Sequence, residues 1–224
     1  MINHLRNTRS FYIIYLCLFG LSCIFYSYQS HGDFVIWLNS LHNPIWDFFF
    51  RYWTHTGSVY FFIATILVLI FLKRRFGLIL SMVGIGVSLV SSFFKFVVFP
   101  DIPRPSLFFE GQEILAKVEG VHLLGLNSFP SGHAMAAFAL ATFIALMLQK
   151  NSYSVLLLTM ACLTALSRVY LAQHFLIDIM AGSLIGIIIA TAYYVGFEKY
   201  LNKETITEIN TPDEDLDKIN LDEE

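Results

Sequence analysis

Residues 77–99 read GLILSMVGIGVSLVSSFFKFVVF, a run of 23 with a single charge, Lys95. As a helix, that length crosses the hydrocarbon core of a bilayer, which takes about 20 apolar residues. Immediately before the run stand Lys73, Arg74 and Arg75, a basic cluster of the kind that stays on the cytoplasmic side. The stretch therefore sets two expectations. One is a membrane helix with a fixed direction. The other is a lysine close to its far end, where an ionisable group is costly and usually functional.

The rest of the chain repeats the pattern. Five further apolar runs lie at about 11–28, 57–72, 132–149, 153–171 and 175–197. The expected fold is all-α, a bundle of six transmembrane helices. Composition agrees: only 14% of the 224 residues are charged, against about 25% in a soluble domain. Segment 33–56, between the first two runs, mixes polar and apolar residues and holds Trp37, Trp46 and Trp53. Tryptophan favours the headgroup level, so this segment is expected at the membrane interface.

Arg6 and Arg9 precede the first run, as in a signal peptide, but no small-residue cleavage site follows it, and a retained helix is expected. With the N-terminus in the cytoplasm, Arg6, Arg9, Lys73, Arg74, Arg75, Lys150, Lys199, Lys203 and Lys218 all fall inside. Arg51, Lys95, Arg104, Lys117 and Arg168 then fall outside or near that face. Both termini are expected in the cytoplasm and the long loop 100–131 on the outer face.

The acids are unevenly placed. Residues 204–224 hold nine of the 17 acidic residues and one base, so removing them takes the formal charge from −3 to +5. The expected organisation is a membrane domain over 1–200 and an acidic, disordered cytoplasmic tail over 201–224. No basic run or face suggests nucleic acid. Cys17, Cys23 and Cys162 all lie in apolar runs and lack metal-site or disulfide spacing. They read as structural thiols. Nothing in the sequence sets an oligomeric state.

The remaining ionisable residues gather at one membrane level. Lys95 lies near the outer end of the third run and Arg104 just beyond it. His133 starts the fourth, Arg168 ends the fifth, and His174 and Asp178 start the sixth. The three cations suit a phosphate, Arg through its planar fork and Lys as a compact charge. Ser131, Gly132 and His133 open a helix whose N-terminal N–H groups attract an anion, and Gly132 lets the backbone come close. His174 and Asp178 are four apart, on one helical face. A carboxylate on one imidazole nitrogen orients the ring and favours its positive form, and leaves the other nitrogen free to attack phosphorus. His133 is then a general acid for the leaving oxygen.

Three motifs carry a family resemblance. Residues 127–133, NSFPSGH, contain PSGH; residues 167–178, SRVYLAQHFLID, fit SRx5Hx3D; Lys95 with Arg104-Pro105 is similar to KxxxxxxRP. Together they resemble the type 2 phosphatidic acid phosphatase (PAP2) superfamily over about 95–182. The resemblance implies a membrane lipid phosphatase without metal or other cofactor. It implies His174 as nucleophile through a phosphohistidine, Asp178 as its orienting partner and His133 as the acid. Lys95, Arg104, Ser131, Gly132 and Arg168 would hold the phosphate. Eight residues separate Lys95 from Arg104 where the pattern has six. The extra length is expected to bulge in the proline-bounded loop 99–103.

Membrane compactness and family imply a bacterial inner membrane with an outward site. The substrate is expected to be a lipid phosphate or pyrophosphate. Undecaprenyl pyrophosphate is favoured over phosphatidylglycerophosphate, phosphatidate or a lipid A phosphate. The alternatives are a lipid phosphotransferase and a non-catalytic lipid-binding protein. His31, His42, His55 and His122 read as loop or interface residues, and Glu110, Glu113, Lys117 and Glu119 as solvated charges on the loop over the site.

Overall fold

The computed structural model describes residues 7–197, so the acidic segment expected as a tail lies outside the described residues. Those residues form helices α1 (Arg9–Ser27), α2 (Asp33–Ser40), α3 (Pro44–Trp53), α4 (Val59–Leu72), α5 (Arg74–Phe93), α6 (Pro105–Phe108), α7 (Gly132–Leu148), α8 (Ser154–Tyr170) and α9 (Leu176–Gly196). Among the described residues there is no β-strand. A π-helical turn, Phe94–Val98, prolongs α5, and short 3-10 turns follow α3 and precede α8.

Among the described residues, four helical stretches are long and apolar enough to cross a membrane: Arg9–Ser27, Arg74–Val98, Asn151–Tyr170 and Leu176–Gly196. Pro44–Gly57 and Val59–Leu72, bent by 53° at Ser58, count as a fifth if taken as one broken span. Gly132–Leu148 is apolar but shorter, at 17 residues. Leu16, Leu21, Leu67, Phe71, Ile85, Leu89 and Ile188 are exposed along these helices. Such a surface belongs in lipid, and the chain is an integral membrane protein.

The short helix is the most enclosed. α7 is apolar all round and nearly every residue from Ala134 to Leu146 is buried, as expected of a helix surrounded by others. One side packs with α1, α8 and α9 through Phe138, Ala141, Leu158, Ala165 and Ile179. The other packs with α4, α5 and α9 through Met135, Phe143, Leu80, Val83 and Tyr194. Its closest neighbour is α9, and Gly182 and Gly186 make that closeness possible. A Cβ on Gly182 would lie 2.5 Å from the Ser131 carbonyl, and one on Gly186 would overlap the Met135 carbonyl. Small residues four apart let two membrane helices approach to backbone contact. The Ser131 N–H consequently donates to the Asp178 carbonyl at 3.0 Å, fixing the start of α7 against the start of α9.

The segment read as one interfacial stretch, 33–56, is two helices with a turn between them. Asn43 starts the second, its Oδ1 accepting from Ile45 N and Trp46 N ahead of Pro44 at the first helical position, while its Nδ2 donates to Leu41 O just past the end of the first. The loop 100–131 holds one helical turn, α6. Arg104 N→Gly125 O, Ser128 N→Ile102 O and a two-way amide pairing of Asn39 with Ala116 pin it down.

Candidate active site

Lys95 stands in the helical turn that ends α5. A π-helical turn takes one residue more than an α-helical one, and Lys95 sits in that turn. Asp101 then turns the chain with φ 60°, and Arg104 caps α6. The eight residues between Lys95 and Arg104 thus run through the end of the π-turn and the loop 99–103. Lys95 is half-buried, and its Nζ would lie 3.9 Å from a Cβ on Gly132. The ammonium thus faces the opening turn of α7. Ser131 caps that turn, its Oγ accepting from Ala134 N, and is wholly buried.

Arg104 is buried and its guanidinium is almost fully used. Nε donates to Leu126 O at 2.8 Å and Nη2 to Asn127 O at 3.3 Å. Nη1 donates to Gln173 O at 3.1 Å and Gln173 Oε1 at 3.2 Å, and lies 3.3 Å from His174 Nε2. Arg168 is buried at the end of α8, with Nη1 donating to Thr54 Oγ1 at 2.7 Å and Nε buried without a partner. A buried donor left unpaired is costly, and an anion in the site would satisfy it.

His174 is placed by the reversal after α8. Ala172 adopts φ 51°, and Arg168 O accepts from both Gln173 N and His174 N. Asp178, in the first turn of α9, lies 3.3 Å from His174 Nδ1 through Oδ2. The same oxygen accepts from Phe175 N at 2.8 Å and from Ser128 Oγ at 2.5 Å. With Nδ1–H toward the carboxylate and Nε2 toward an arginine donor, the tautomer is set: Nε2 carries the lone pair.

The expected charge state of His174 needs correction. Burial first, then the positive charges of Arg104, Arg168 and Lys95, push its pKa well below the ordinary imidazole range. Those effects act against the positive form and favour the neutral imidazole. His133 is half-buried at the start of α7, with its backbone carbonyl and Cβ packed on Gly57. Arg168, His174, Lys95 and Arg104 all lie within electrostatic reach of it.

All eight residues named from sequence converge here. Three partners were not named. Ser128 lies inside the quoted NSFPSGH stretch and Gln173 directly precedes His174, so both were within reach of the motifs. Thr54 comes from the turn after α3, and no sequence signal marked it. His31, read as a loop or interface residue, packs its ring against Phe175 with centroids 4.1 Å apart. His122 contributes a backbone carbonyl to Gln173 Nε2. Among the described residues no group of three or more His, Cys, Asp or Glu is placed to hold a metal ion.

The model of the PAP2 superfamily matches residues 75–201, more than half of the chain. The protein belongs to the PAP2 superfamily. It is a membrane phosphatase of that family. Among curated relatives of this PAP2 protein, the lipid A 1-phosphatase of Porphyromonas gingivalis is 39% identical over 70 residues, 30% of this chain. The matched stretch spans only 16% of that relative's length. The lipid A 4'-phosphatase of Bacteroides thetaiotaomicron is 26% identical over 164 residues, 68% of this chain and 70% of that protein. Two crystal structures share the fold. LpxE of Aquifex aeolicus superposes with a TM-score of 0.61 at 24% identity, covering 75% of this chain and 96% of that one. The PAP2-type phosphatidylglycerolphosphate phosphatase of Bacillus subtilis gives 0.62 at 22% identity, covering 86% and 96%.

Proposed function

We propose that this protein removes a phosphate from a membrane lipid through a phosphohistidine at His174. The observation that carries the reading is the geometry about one imidazole, with Asp178 at Nδ1 and the guanidinium of Arg104 at Nε2. A phosphate oxygen entering beside Arg104 would take over its Nη1 donor and free the Nε2 lone pair to attack phosphorus. As the N–P bond forms, the P–O bond to the lipid breaks, and the lipid oxygen leaves with the electron pair and a proton from His133. Water then attacks phosphorus and gives its proton to His133. The N–P bond breaks, releasing phosphate and restoring His174. Lys95, Arg104, Arg168 and the N-terminus of α7, with Ser131 and Gly132, hold the charge on the equatorial oxygens. The reading needs no metal.

The membrane arrangement proposed is six spans, with α4 and α7 crossing despite their length and both termini in the cytoplasm. The site then faces outward from a bacterial inner membrane. The charge asymmetry of the loops supports this. The substrate proposed is a phosphate ester of a lipid A-type glycolipid. The two relatives above, a lipid A 1-phosphatase and a lipid A 4'-phosphatase, support that choice over the polyprenyl pyrophosphate favoured from sequence.

The test is phosphate release by purified protein from lipid A phosphates, phosphatidylglycerophosphate and undecaprenyl pyrophosphate. Lipid A phosphate should be hydrolysed fastest, and His174→Ala should release nothing from any of them. Wild-type rates in that variant would sink the mechanism, and preference for another lipid would sink the substrate assignment.

A further inference from the structure

A segment outside the three motifs braces the site from the side. Residues 54–57, THTG, form the 3-10 turn between α3 and α4 and precede residue 75, where the family match begins. Ser58 N closes the turn by donating to His55 O at 2.9 Å, and Ser58 Oγ then accepts from Phe61 N at the start of α4. Polar ties run from this segment to the last two turns of α8. Tyr170 OH donates to Asp47 Oδ1 at 2.5 Å, Arg168 Nη1 donates to Thr54 Oγ1 at 2.7 Å, and the hydroxyls of Thr56 and Thr164 bond at 2.6 Å. Thr164 and Arg168 are four apart, on one face of α8, so the turn lies along that face.

The same turn touches α7. A Cβ on Gly57 would stand 2.8 Å from the His133 carbonyl oxygen, 3.2 Å from His133 Cβ and 2.7 Å from Thr164 Cγ2. Only a residue without a side chain fits between those two helices. Four residues therefore meet both the helix start that carries His133 and the helix end that carries Arg168.

Thr54 holds Arg168 in a way that leaves it available. Both residues are buried. A hydroxyl oxygen takes Nη1 without cancelling the guanidinium charge, as a carboxylate would. Anchoring one nitrogen of a planar fork fixes its plane, and Nε on the other edge is buried without a partner among the described residues. We infer that the Thr54–Gly57 turn is a positioning element of the reaction: Thr54 sets the plane of Arg168 for the phosphate, and Gly57 sets the place of His133 against α8. This rests on the phosphatase reading above.

The test is kcat/KM of the full-length protein in detergent for hexadecyl phosphate and para-nitrophenyl phosphate. A nitrophenolate leaves without a proton, so only the alkyl ester needs His133 as acid. Thr54→Val keeps the shape and removes the acceptor, and should lower kcat/KM about tenfold for both esters. Thr54→Ser should restore most of it. With Arg168→Gln already present, Thr54→Val should cost less than about twofold more, because its effect passes through that guanidinium. An undiminished kcat/KM in Thr54→Val, or the same loss in both backgrounds, overturns the inference. Thermal unfolding checks folding, and Thr54→Ala replaces a valine variant that does not fold. Gly57→Ala should lower kcat/KM about tenfold more for the alkyl ester than for the aryl one; equal losses overturn the part assigned to His133. Where Gly57→Ala does not fold, Thr164→Ser is combined with it to remove the facing methyl. Orthovanadate, a phosphate mimic, separates this inference from the reading it rests on. Its Kd should rise about tenfold in Thr54→Val. That rise without hydrolysis of either ester by the wild type keeps the role of Thr54 and ends the phosphatase reading.

Discussion

Ser128→Ala tests whether the carboxylate behind the nucleophile is held in place by its neighbours. Ser128 is 0% exposed, and its hydroxyl donates to Asp178 Oδ2 at 2.5 Å. It faces the Nδ1 side of His174, 3.5 Å from that nitrogen, and not Nε2. Removing the hydroxyl leaves Oδ2 with Phe175 N at 2.8 Å and His174 Nδ1 at 3.3 Å. A hydrogen bond to a charged group contributes about 1.5–3 kcal/mol net. Because Phe175 N still restrains the carboxylate, the lower part of that range applies. About 1.5–2 kcal/mol appearing in the barrier lowers kcat by roughly 10- to 30-fold. KM should stay near wild type, because the serine faces away from the phosphate. Ser128→Thr keeps the hydroxyl and should recover most of the rate. Steady-state phosphate release reads kcat and KM, and thermal unfolding in detergent checks that each variant folds. A kcat within about twofold of wild type, or a raised KM with kcat intact, refutes the reasoning.

Arg104→Lys should cost more than its conserved charge suggests, on the order of 100-fold in kcat/KM, because one ammonium cannot reproduce the fork to Leu126 O, Asn127 O and Gln173 O; a loss below about fivefold would be inconsistent with phosphate capture by this arginine. The pH profile of kcat/KM should have its acid limb below the ordinary imidazole value of about 6.5. His174 attacks only when neutral, and burial with three cations keeps it neutral as pH falls, until its lowered pKa is crossed. An acid limb at or above the ordinary value would contradict that. Gly186→Ala places a methyl against the Met135 carbonyl and should destabilise the protein by about 1–3 kcal/mol, seen as a lower unfolding temperature. EDTA should leave turnover unchanged, and restoration by an added divalent ion after EDTA inhibition would end the metal-free proposal.

The reacting groups were legible in the sequence because the bilayer makes them conspicuous. Lys95 is the one charge in 23 residues, and Arg168, His174 and Asp178 interrupt apolar runs that would otherwise be continuous. A charge in such a place needs a reason, and three motifs supplied the same one. The apolar runs likewise placed the long helices to within a few residues, since period and length suffice where lipid is the solvent. What was not legible depends on backbone. The π-turn at Phe94–Val98 leaves no mark in composition. The turn between α2 and α3 was blurred by the mixed character of 33–56, although Asn43-Pro44 is a recognisable helix start.

The supports of the site belong to the same illegible class. Arg104 is aimed largely by carbonyls, those of Leu126, Asn127 and Gln173, and any side chain there would supply the same oxygen. Arg168 is aimed by Thr54, 114 residues away in sequence. His174 is turned back by Ala172 in a left-handed conformation that its identity does not announce. The glycines that bring α7 against α9 look, in sequence, like ordinary small residues of a membrane helix. Their consequence is chemical: through Ser131 N and Asp178 O they set the distance between the helix that carries His133 and the helix that carries Asp178. A Cβ at Gly182 would press on the Ser131 carbonyl, one residue from the phosphate-facing turn, while leaving every charged group in place. Gly182→Ala should therefore lower kcat by more than its loss of stability explains. A variant that loses only stability would mean that the spacing of α7 and α9 does not set the geometry of the reaction.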